Sequence, residues 1–99
     1  MLARVMTFSA GGDVLDSLVA TLRREVGDAY GGIPGFRGLL AIHNPDRRDV
    51  IALTLWDDQA GIEASADLAT DVLDRIAHHT GLRAASNVYE VIGTIGLVE

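Results

Sequence analysis

Two adjacent histidines carry side chains suited to proton transfer, because imidazole changes charge near neutral pH. His79 continues an apolar stripe, at three- and four-residue spacing, to the last turn of a predicted helix, which makes it a candidate general base on the core side. The alternative is a helix-end histidine, favoured by the negative end of the helix dipole and bonded to a carbonyl. His78 points about 100° away around the helix, so the two imidazoles do not share the face that holding one metal ion requires. We predict no metal site.

Four further side chains are candidates for the wall of a substrate pocket. Trp56 and His43 each end a predicted strand; Trp56 is large enough to stack on a flat substrate, and His43 lies where a pocket mouth would open. Tyr89 directs its hydroxyl toward a pocket or covers the edge of the sheet. Phe36 follows a turn and packs at the start of a strand. Each has a structural alternative, which for Trp56 is a plug of the core.

The junction IPGFRG, residues 33–38, combines turn residues with an aromatic one. Pro34 and Gly35 turn the chain sharply, and Phe36 anchors the following strand in the core. We expect a glycine at Gly38 because a neighbouring side chain approaches a backbone that has no Cβ. The substitution Gly38→Val is therefore predicted to impair folding or the shape of the cavity.

Arg4 lies in the middle of the first predicted strand, where it alternates with Met6 and Phe8. Burying a guanidinium without a partner is costly. We therefore expect Arg4 to reach the edge of the sheet or to meet an acid, and Glu90 on the last strand is the predicted partner.

The composition limits the class of protein. A chain of 99 residues, of which 48% are hydrophobic and 22% charged, makes one domain, residues 1–99. The net charge of −6, with no lysine and with arginines scattered among acids, argues against a nucleic-acid partner. The absence of cysteine excludes disulfides and thiolate catalysis. The sequence has neither a signal-peptide pattern nor an apolar run near the roughly 20 residues that cross a bilayer, so we expect a cytoplasmic protein without membrane contacts.

The first half of the chain predicts a strand, a helix and two strands. Residues 2–9 form the first strand, and Asp13 is the predicted N-cap of a helix. The apolar stripe of this helix has helical spacing and comprises Leu15, Leu18, Leu22, Val26 and Ala29. Glycines at 27, 31 and 32 with Pro34 end it, and residues 36–43 and 49–56 form a hairpin of two strands around the turn at residues 44–46.

The second half predicts two helical segments and a strand. Asp57 caps a short helical turn that runs to Ala64, and Ser65 or Asp67 starts a longer helix. Its apolar stripe is Leu68, Val72 and Ile76, followed by His79, and Gly81 is its C-terminal stop. Residues 82–92 form the fourth strand, and TIGLV at residues 94–98 is a candidate additional strand.

This order of elements predicts an α+β fold of ferredoxin-like type, βαββαβ, with a four-stranded antiparallel sheet and two helices on one face. The opposite face of such a sheet is usually polar, but here both faces are apolar at their centres. In the second strand, for example, one face carries Phe36, Gly38, Leu40 and Ile42, and the other carries Arg37, Leu39, Ala41 and His43. We therefore predict a homodimer that buries on the order of 800 Å² per partner.

Four short motifs resemble the antibiotic biosynthesis monooxygenase-like domains of the dimeric α+β barrel superfamily. They are PGFRG at residues 34–38, LTLWDD at 53–58, EAS at 63–65 and YEV at 89–91. The resemblance covers essentially the whole chain. It implies a homodimer whose sheets face each other as a barrel, with a ligand cavity in each subunit between the sheet and the helices.

The resemblance implies a monooxygenase that needs no cofactor and acts on a small aromatic, quinol or polyketide-like substrate. In such a reaction the deprotonated substrate itself reduces dioxygen, so the protein supplies a dry pocket, orientation and one base. His79 is the predicted base, and Trp56 with Tyr89 is the predicted wall. The alternatives are a non-catalytic module that binds a small apolar ligand or assists a biosynthetic enzyme, and a dimeric scaffold with a collapsed cavity.

Overall fold

The structure is a computed structural model that describes residues 1–9 and 12–93. The candidate strand at 94–98 lies outside the described residues. Among the residues that are described, no helix combines the length and the apolar character needed to cross a membrane.

The described elements follow the predicted order, with the second helical region split in two. They are β1 (Leu2–Ser9), α1 (Gly12–Tyr30), β2 (Phe36–Asn44), β3 (Asp49–Trp56), α2 (Gln59–Ala64), α3 (Ala66–Thr80) and β4 (Ala84–Glu90). The four strands form one antiparallel sheet in the order β2-β3-β1-β4. This confirms the predicted α+β fold with a βαββαβ order.

The core lies between one face of the sheet and the helices. Strand residues alternate between the two faces, and the register pairs Met6 with Ala52 and Phe8 with Val50 on the helix-facing side. The helices contribute buried side chains at helical spacing: Leu18, Leu22, Val26 and Tyr30 from α1, and Ala69, Val72 and Ile76 from α3. The predicted stripes are therefore largely the buried ones.

A β-bulge at the start of β2 makes the predicted alternation of side chains between the two faces wrong for Phe36. The pairing with β3 shifts between Phe36 and Gly38, so Phe36 lies on the helix-facing side, opposite Trp56, while Gly38 lies on the outer side. The predicted reason for Gly38 is also wrong. A Cβ at this position would meet nothing within 4 Å, but the backbone has φ of +135°, a conformation that side chains rarely adopt.

The close contact that was expected at Gly38 is found instead at Gly61 in α2. A Cβ there would lie 3.0 Å from the carbonyl oxygen of Pro34 and 3.2 Å from Trp56. The N-cap of α2 is Asp58, one residue after the predicted Asp57, and its carboxylate accepts from the backbone N–H of Gly61 at 3.0 Å. Asp57 instead pairs with Arg37.

The ends of the long helices agree with the predicted stops. α1 ends at Tyr30, before the glycine pair, although Gly27 lies inside it, and Asp13 already belongs to its first described turn. α3 ends at Thr80, and its C-cap is Gly81, whose φ of 74° is left-handed and whose N–H donates to the carbonyl of Ala77 at 2.8 Å.

The outer face of the sheet carries large apolar side chains that are exposed in the single chain. Leu40 is 51% exposed and Ile42 53%, and Tyr89 on β4 is 56% exposed on the same face. Half-buried Ile51, Leu53 and Leu55 of β3 lie between them. This apolar outer face is the surface on which the predicted dimer depends.

Candidate functional site

Arg4 reaches the layer between the sheet and α2. It lies on the helix-facing side of β1, and its Nη2 donates to the carbonyl oxygen of Ile62 at 3.2 Å. Its Nε atom is buried and has no hydrogen-bond partner. The partner of Arg4 is therefore a carbonyl and not the predicted Glu90. Glu90 lies opposite Leu2 on β4, and its side chain is exposed.

Ser86 of β4 places a second unpartnered polar atom on the same face. Ser86 is opposite Met6 and diagonal to Arg4, and its Oγ is buried without a hydrogen bond. Leaving a buried polar atom unpaired costs roughly 1–3 kcal/mol, so such atoms mark a place for water or a ligand. Two of them on neighbouring strands, one from a guanidinium, form the centre of what we name the Arg4–Ser86 layer.

The Ile62 carbonyl connects this layer to the junction of α2 and α3. It accepts from Arg4 and also from the hydroxyl of Ser65 at 2.8 Å, and Ser65 is fully buried at the break between the two helices. The carbonyls near a helix C-terminus lack helical partners, so α2 can supply this one to the sheet. The break between α2 and α3 thus helps to position Arg4.

Three aromatic rings pack together beside the layer. The ring centroid of Trp56 lies 5.4 Å from that of Tyr30, in an edge-to-face arrangement, and 5.2 Å from that of Phe36. The centroids of Tyr30 and Phe36 are 5.8 Å apart. Burial raises the pKa of Tyr30 above 10.0, and the positive charges of Arg4 and Arg75 act in the opposite direction. The phenol is therefore neutral near pH 7.

Of the predicted pocket residues, the structure brings together Phe36 and Trp56. Trp56 is fully buried and its indole N–H donates to the hydroxyl of Thr54 at 3.0 Å, which is the geometry of a core plug. Tyr89 lies on the outer face, away from the helices. The YEV motif therefore does not face the Arg4–Ser86 layer.

His79 does not lie on the core side of α3. Its side chain is exposed, and the residue that continues the buried positions after Ile76 is Thr80, whose hydroxyl donates to the Ile76 carbonyl at 2.7 Å. The expected core-side location is wrong because a step of four residues from Ile76 stays closer to the centre of the buried stripe than a step of three. Along α3, His79 is roughly 20 Å from Ser65 at 1.5 Å per residue.

His43 lies at the far end of the sheet, beside the β2–β3 turn. Its Nε2 is buried without a hydrogen bond, and the residue borders a groove of about 500 Å³ that also includes Arg47 and Asp49. His43 pairs with Val50, whereas Arg4 pairs with Thr54, four residues further along β3. At 3.3 Å per residue this separates His43 from Arg4 by at least about 13 Å.

Sequence reasoning missed the partners of the layer. Tyr30 extends the α1 stripe four residues beyond Val26, and this helical spacing predicts that Tyr30 is buried. The sequence around Ser86 does not indicate its position, because that position depends on the register between β4 and β1. Within the described part of the chain, no group of three or more histidine and acidic residues is arranged to hold a metal ion.

Comparison with known proteins is informative for the structure only. The sequence matches no protein-family model, and no curated protein matches it. Among solved structures, a variant of SnoaB, a cofactor-independent oxygenase from Streptomyces nogalater, is similar with a TM-score of 0.75 and 12% identity over 97% of each chain. The monooxygenase from the gene ActVA-Orf6 of Streptomyces coelicolor, in complex with Nanaomycin D, has a TM-score of 0.75 and 14% identity over 98% of this chain and 92% of that one.

A third structure, described as an antibiotic biosynthesis monooxygenase, has a TM-score of 0.63 and 12% identity over 94% of this chain and all of that chain. At such identities the likeness concerns the fold. The chain has the fold of the antibiotic biosynthesis monooxygenase structures, and the resemblance seen in the sequence motifs is confirmed at that level.

Proposed function

We propose that this chain, with the fold of the antibiotic biosynthesis monooxygenases, is itself a monooxygenase that works without a cofactor on a small aromatic, quinol or polyketide-like substrate. The substrate would bind between the sheet and the helices. The observation that carries the proposal is the Arg4–Ser86 layer, where a buried guanidinium nitrogen and a buried hydroxyl lack partners in a fold shared with a cofactor-independent oxygenase.

The proposed reaction takes its electrons from the substrate. A ring CH₂ flanked by aromatic or carbonyl groups loses a proton to give an anion, which transfers electrons to dioxygen and forms a C–O bond. One oxygen atom stays as a carbonyl and the other leaves as water, so that CH₂ and O₂ become C=O and H₂O. The four electrons that reduce O₂ are the four lost by the carbon. The protein needs to orient the substrate, exclude bulk water and stabilise the anion.

The residues available for these tasks are those of the layer and the aromatic cluster. Arg4 supplies a positive charge, and neutral Tyr30 is a hydroxyl donor. Half-buried Phe36 offers apolar ring surface, and fully buried Trp56 packs against it. The predicted base role of His79 stays a prediction. Its side chain is exposed near the end of α3, roughly 20 Å along the helix from Ser65, which favours loss of the substrate proton to solvent rather than to this histidine.

The homodimer is part of the same proposal. A second copy that packs against the apolar outer face would cover Leu40, Ile42 and Tyr89, which are exposed in the single chain. Several exposed apolar side chains on one face are typical of a protein interface. Tyr89 would then serve the dimer, and both active layers would lie on the far sides of the paired sheets.

A non-catalytic ligand-binding protein of the same fold is the second candidate. It is favoured by the exposure of His79 and by the distance of His43 from Arg4, which leave the layer without a described histidine beside it. Binding needs mainly a concave apolar surface, whereas catalysis needs convergent polar groups.

Oxygen consumption separates the two candidates. A panel of naphthalene and anthracene quinols and anthrones is incubated with the protein in air and under nitrogen, and the matching Arg4→Met variant is tested in parallel. We expect oxygen-dependent product formation above the uncatalysed rate, reduced in the variant. A ligand-induced rise in melting temperature without any oxygen uptake would establish the binding protein instead.

A further inference from the structure

We infer that Arg4 and Ser86 form a binding site for an anionic oxygen, a phenolate or carboxylate, carried by an aromatic ligand. The inference rests on the proposed function for the location of the site, and it specifies the charge state of the ligand that the site selects.

The charge on Arg4 lacks an anionic partner among the described residues. Its side-chain hydrogen bond goes to a neutral carbonyl, that of Ile62. The acid on the neighbouring strand, Glu90, is exposed, lies opposite Leu2 and makes no ion pair with Arg4. A half-buried guanidinium gains most from a partner that is itself charged. An anion next to Nε would satisfy the unpaired donor and the unpaired charge together.

Ser86 fits the same ligand atom. The strand register places Ser86 diagonal to Arg4 on one face, at a separation of roughly 7–8 Å that a long side chain can span. Its hydroxyl is a donor that rotates to suit its acceptor. An oxygen that accepts from both Arg4 Nε and Ser86 Oγ would leave neither of these buried atoms unsatisfied.

An exposed residue borders Arg4 on its β4 side. Val88, the residue paired with Arg4, lies on the same face of the sheet and is 47% exposed. An aromatic ligand that enters over Val88 would meet the guanidinium first, and its ring would lie on apolar surface. The route does not require Trp56 to move.

The selection of an anion explains how the proposed reaction proceeds without a nearby histidine. A positive charge next to the acidic group of a ligand lowers the pKa of that group and stabilises the ionised form. Where that group is a phenol, its ionised form is the one that transfers electrons to dioxygen; a carboxylate would only anchor the ring. Arg4 would therefore bind the substrate and favour its reactive state through one contact.

The test measures binding by calorimetry under nitrogen, so that turnover does not enter. One probe pair is a hydroxynaphthoquinone, ionised at neutral pH, and its uncharged methyl ether; the other is naphthoate and its neutral amide. The variants are Arg4→Met, Arg4→Lys and Ser86→Ala. Arg83→Met, which removes an exposed arginine just before β4, is the matched control.

We expect the wild type to prefer at least one anion over its neutral partner by roughly tenfold or more, as for hydrogen bonds to charged groups. The pair that shows the preference identifies the phenolate or the carboxylate. Arg4→Met should abolish the preference, Arg4→Lys should keep part of it, Ser86→Ala should reduce it several-fold and Arg83→Met should leave it intact. If Arg4→Met does not fold, Arg4→Lys and Ser86→Ala carry the comparison.

Equal affinity of the wild type for both members of each pair, or no binding of any probe, would overturn the inference. An anion preference that survives in Arg4→Met would do the same. Failure of the proposed function looks different, because a protein that consumes no oxygen can still show the anion preference. Conversely, oxygen-dependent turnover without that preference would leave the monooxygenase proposal standing and remove this one.

Discussion

The indole N–H of Trp56 donates a hydrogen bond to the hydroxyl of Thr54, two residues earlier on the same face of β3, at 3.0 Å. Both residues are fully buried. The bond satisfies the polar atom of the largest core side chain and holds the indole in its edge-to-face contact with Tyr30.

Removal of the Thr54 hydroxyl is expected to destabilise the protein. In Thr54→Val the volume is kept but the buried Trp56 N–H loses its acceptor, so the free energy of unfolding should fall by about 1–3 kcal/mol. Urea denaturation followed by circular dichroism measures this. Thr7→Val, on the exposed side of β1, is the control and should have little effect. Equal stability of the wild type and Thr54→Val would show that the indole N–H has another partner.

Gly38→Val is expected to destabilise through the backbone. The φ of +135° is outside the range that a β-branched residue adopts, so the free energy of unfolding should fall by about 1–3 kcal/mol although the site has room for a side chain. The control is Gly32→Ala, where a Cβ also meets nothing and no positive φ applies. An unchanged melting temperature for Gly38→Val would contradict the bulge at this position.

Glu25 is expected to make stability depend on acidic pH. This carboxylate of α1 accepts from Arg75 of α3 at 2.5 Å and from Arg24 at 3.4 Å. The Arg75 bond, against the effect of desolvation, holds the pKa of Glu25 below its ordinary value of 4.5. Because the pKa is lowered in the folded state, the stabilisation is present above pH 4.5 and is lost as the pH falls through the lowered folded pKa.

The variant Glu25→Gln tests that pH dependence. Its stability should fall below that of the wild type near neutral pH, and the gap should close as the pH falls below 4.5. Urea titrations at several pH values measure the gap. Asp28→Asn, at an exposed acid on the same helix, is the control. A gap that stays constant across the acid range would show that the two helices do not depend on this charge.

His79→Ala is expected to retain turnover, because the imidazole is exposed at the far end of α3 from Arg4. The rate constant with the best quinol substrate should stay within about twofold of the wild type, as should that of its neighbour variant His78→Ala. General bases usually contribute about 100-fold or more. A loss of that size in His79→Ala, but not in His78→Ala, would restore His79 as the base.

The outer face is expected to mediate dimerisation. Leu40→Arg places a charge among exposed apolar side chains and should convert a dimer into a monomer at micromolar concentrations, as measured by sedimentation velocity. Ala20→Arg, on the exposed side of α1, should remain dimeric. A wild type that sediments as a monomer would remove the dimer from the proposal.

The sequence pattern was sufficient for the fold because each element has a strong local signal. The stripe from Leu18 to Val26, the Gly81 stop and the hairpin turn are set by neighbours in sequence, and all three occur in the structure. The bulge at Phe36 was not visible, because an extra residue in one strand is defined only by the partner strand. That one shift puts Phe36 and Leu40 on opposite faces of the sheet, although simple alternation predicts one face for both.

The candidate site was predictable only in part. Trp56 and Phe36 were identified as neighbours of a pocket because aromatic size is visible in sequence, and they do meet. Arg4 and Ser86, 82 positions apart in the chain, become diagonal neighbours through the β1–β4 register, which no local pattern encodes. His79 was misplaced because helical spacing alone does not locate the centre of the buried stripe at the end of a helix.

Trp56 is the chain's single tryptophan, and its surroundings make it an optical reporter of the interior. A dry, hydrogen-bonded indole emits at shorter wavelength than one in water, and Tyr30 is close enough to pass excitation energy to it. Unfolding should therefore shift the intrinsic fluorescence to the red. A quinone bound over Val88 should quench this fluorescence. Ligand binding could therefore be titrated by tryptophan fluorescence without an added label.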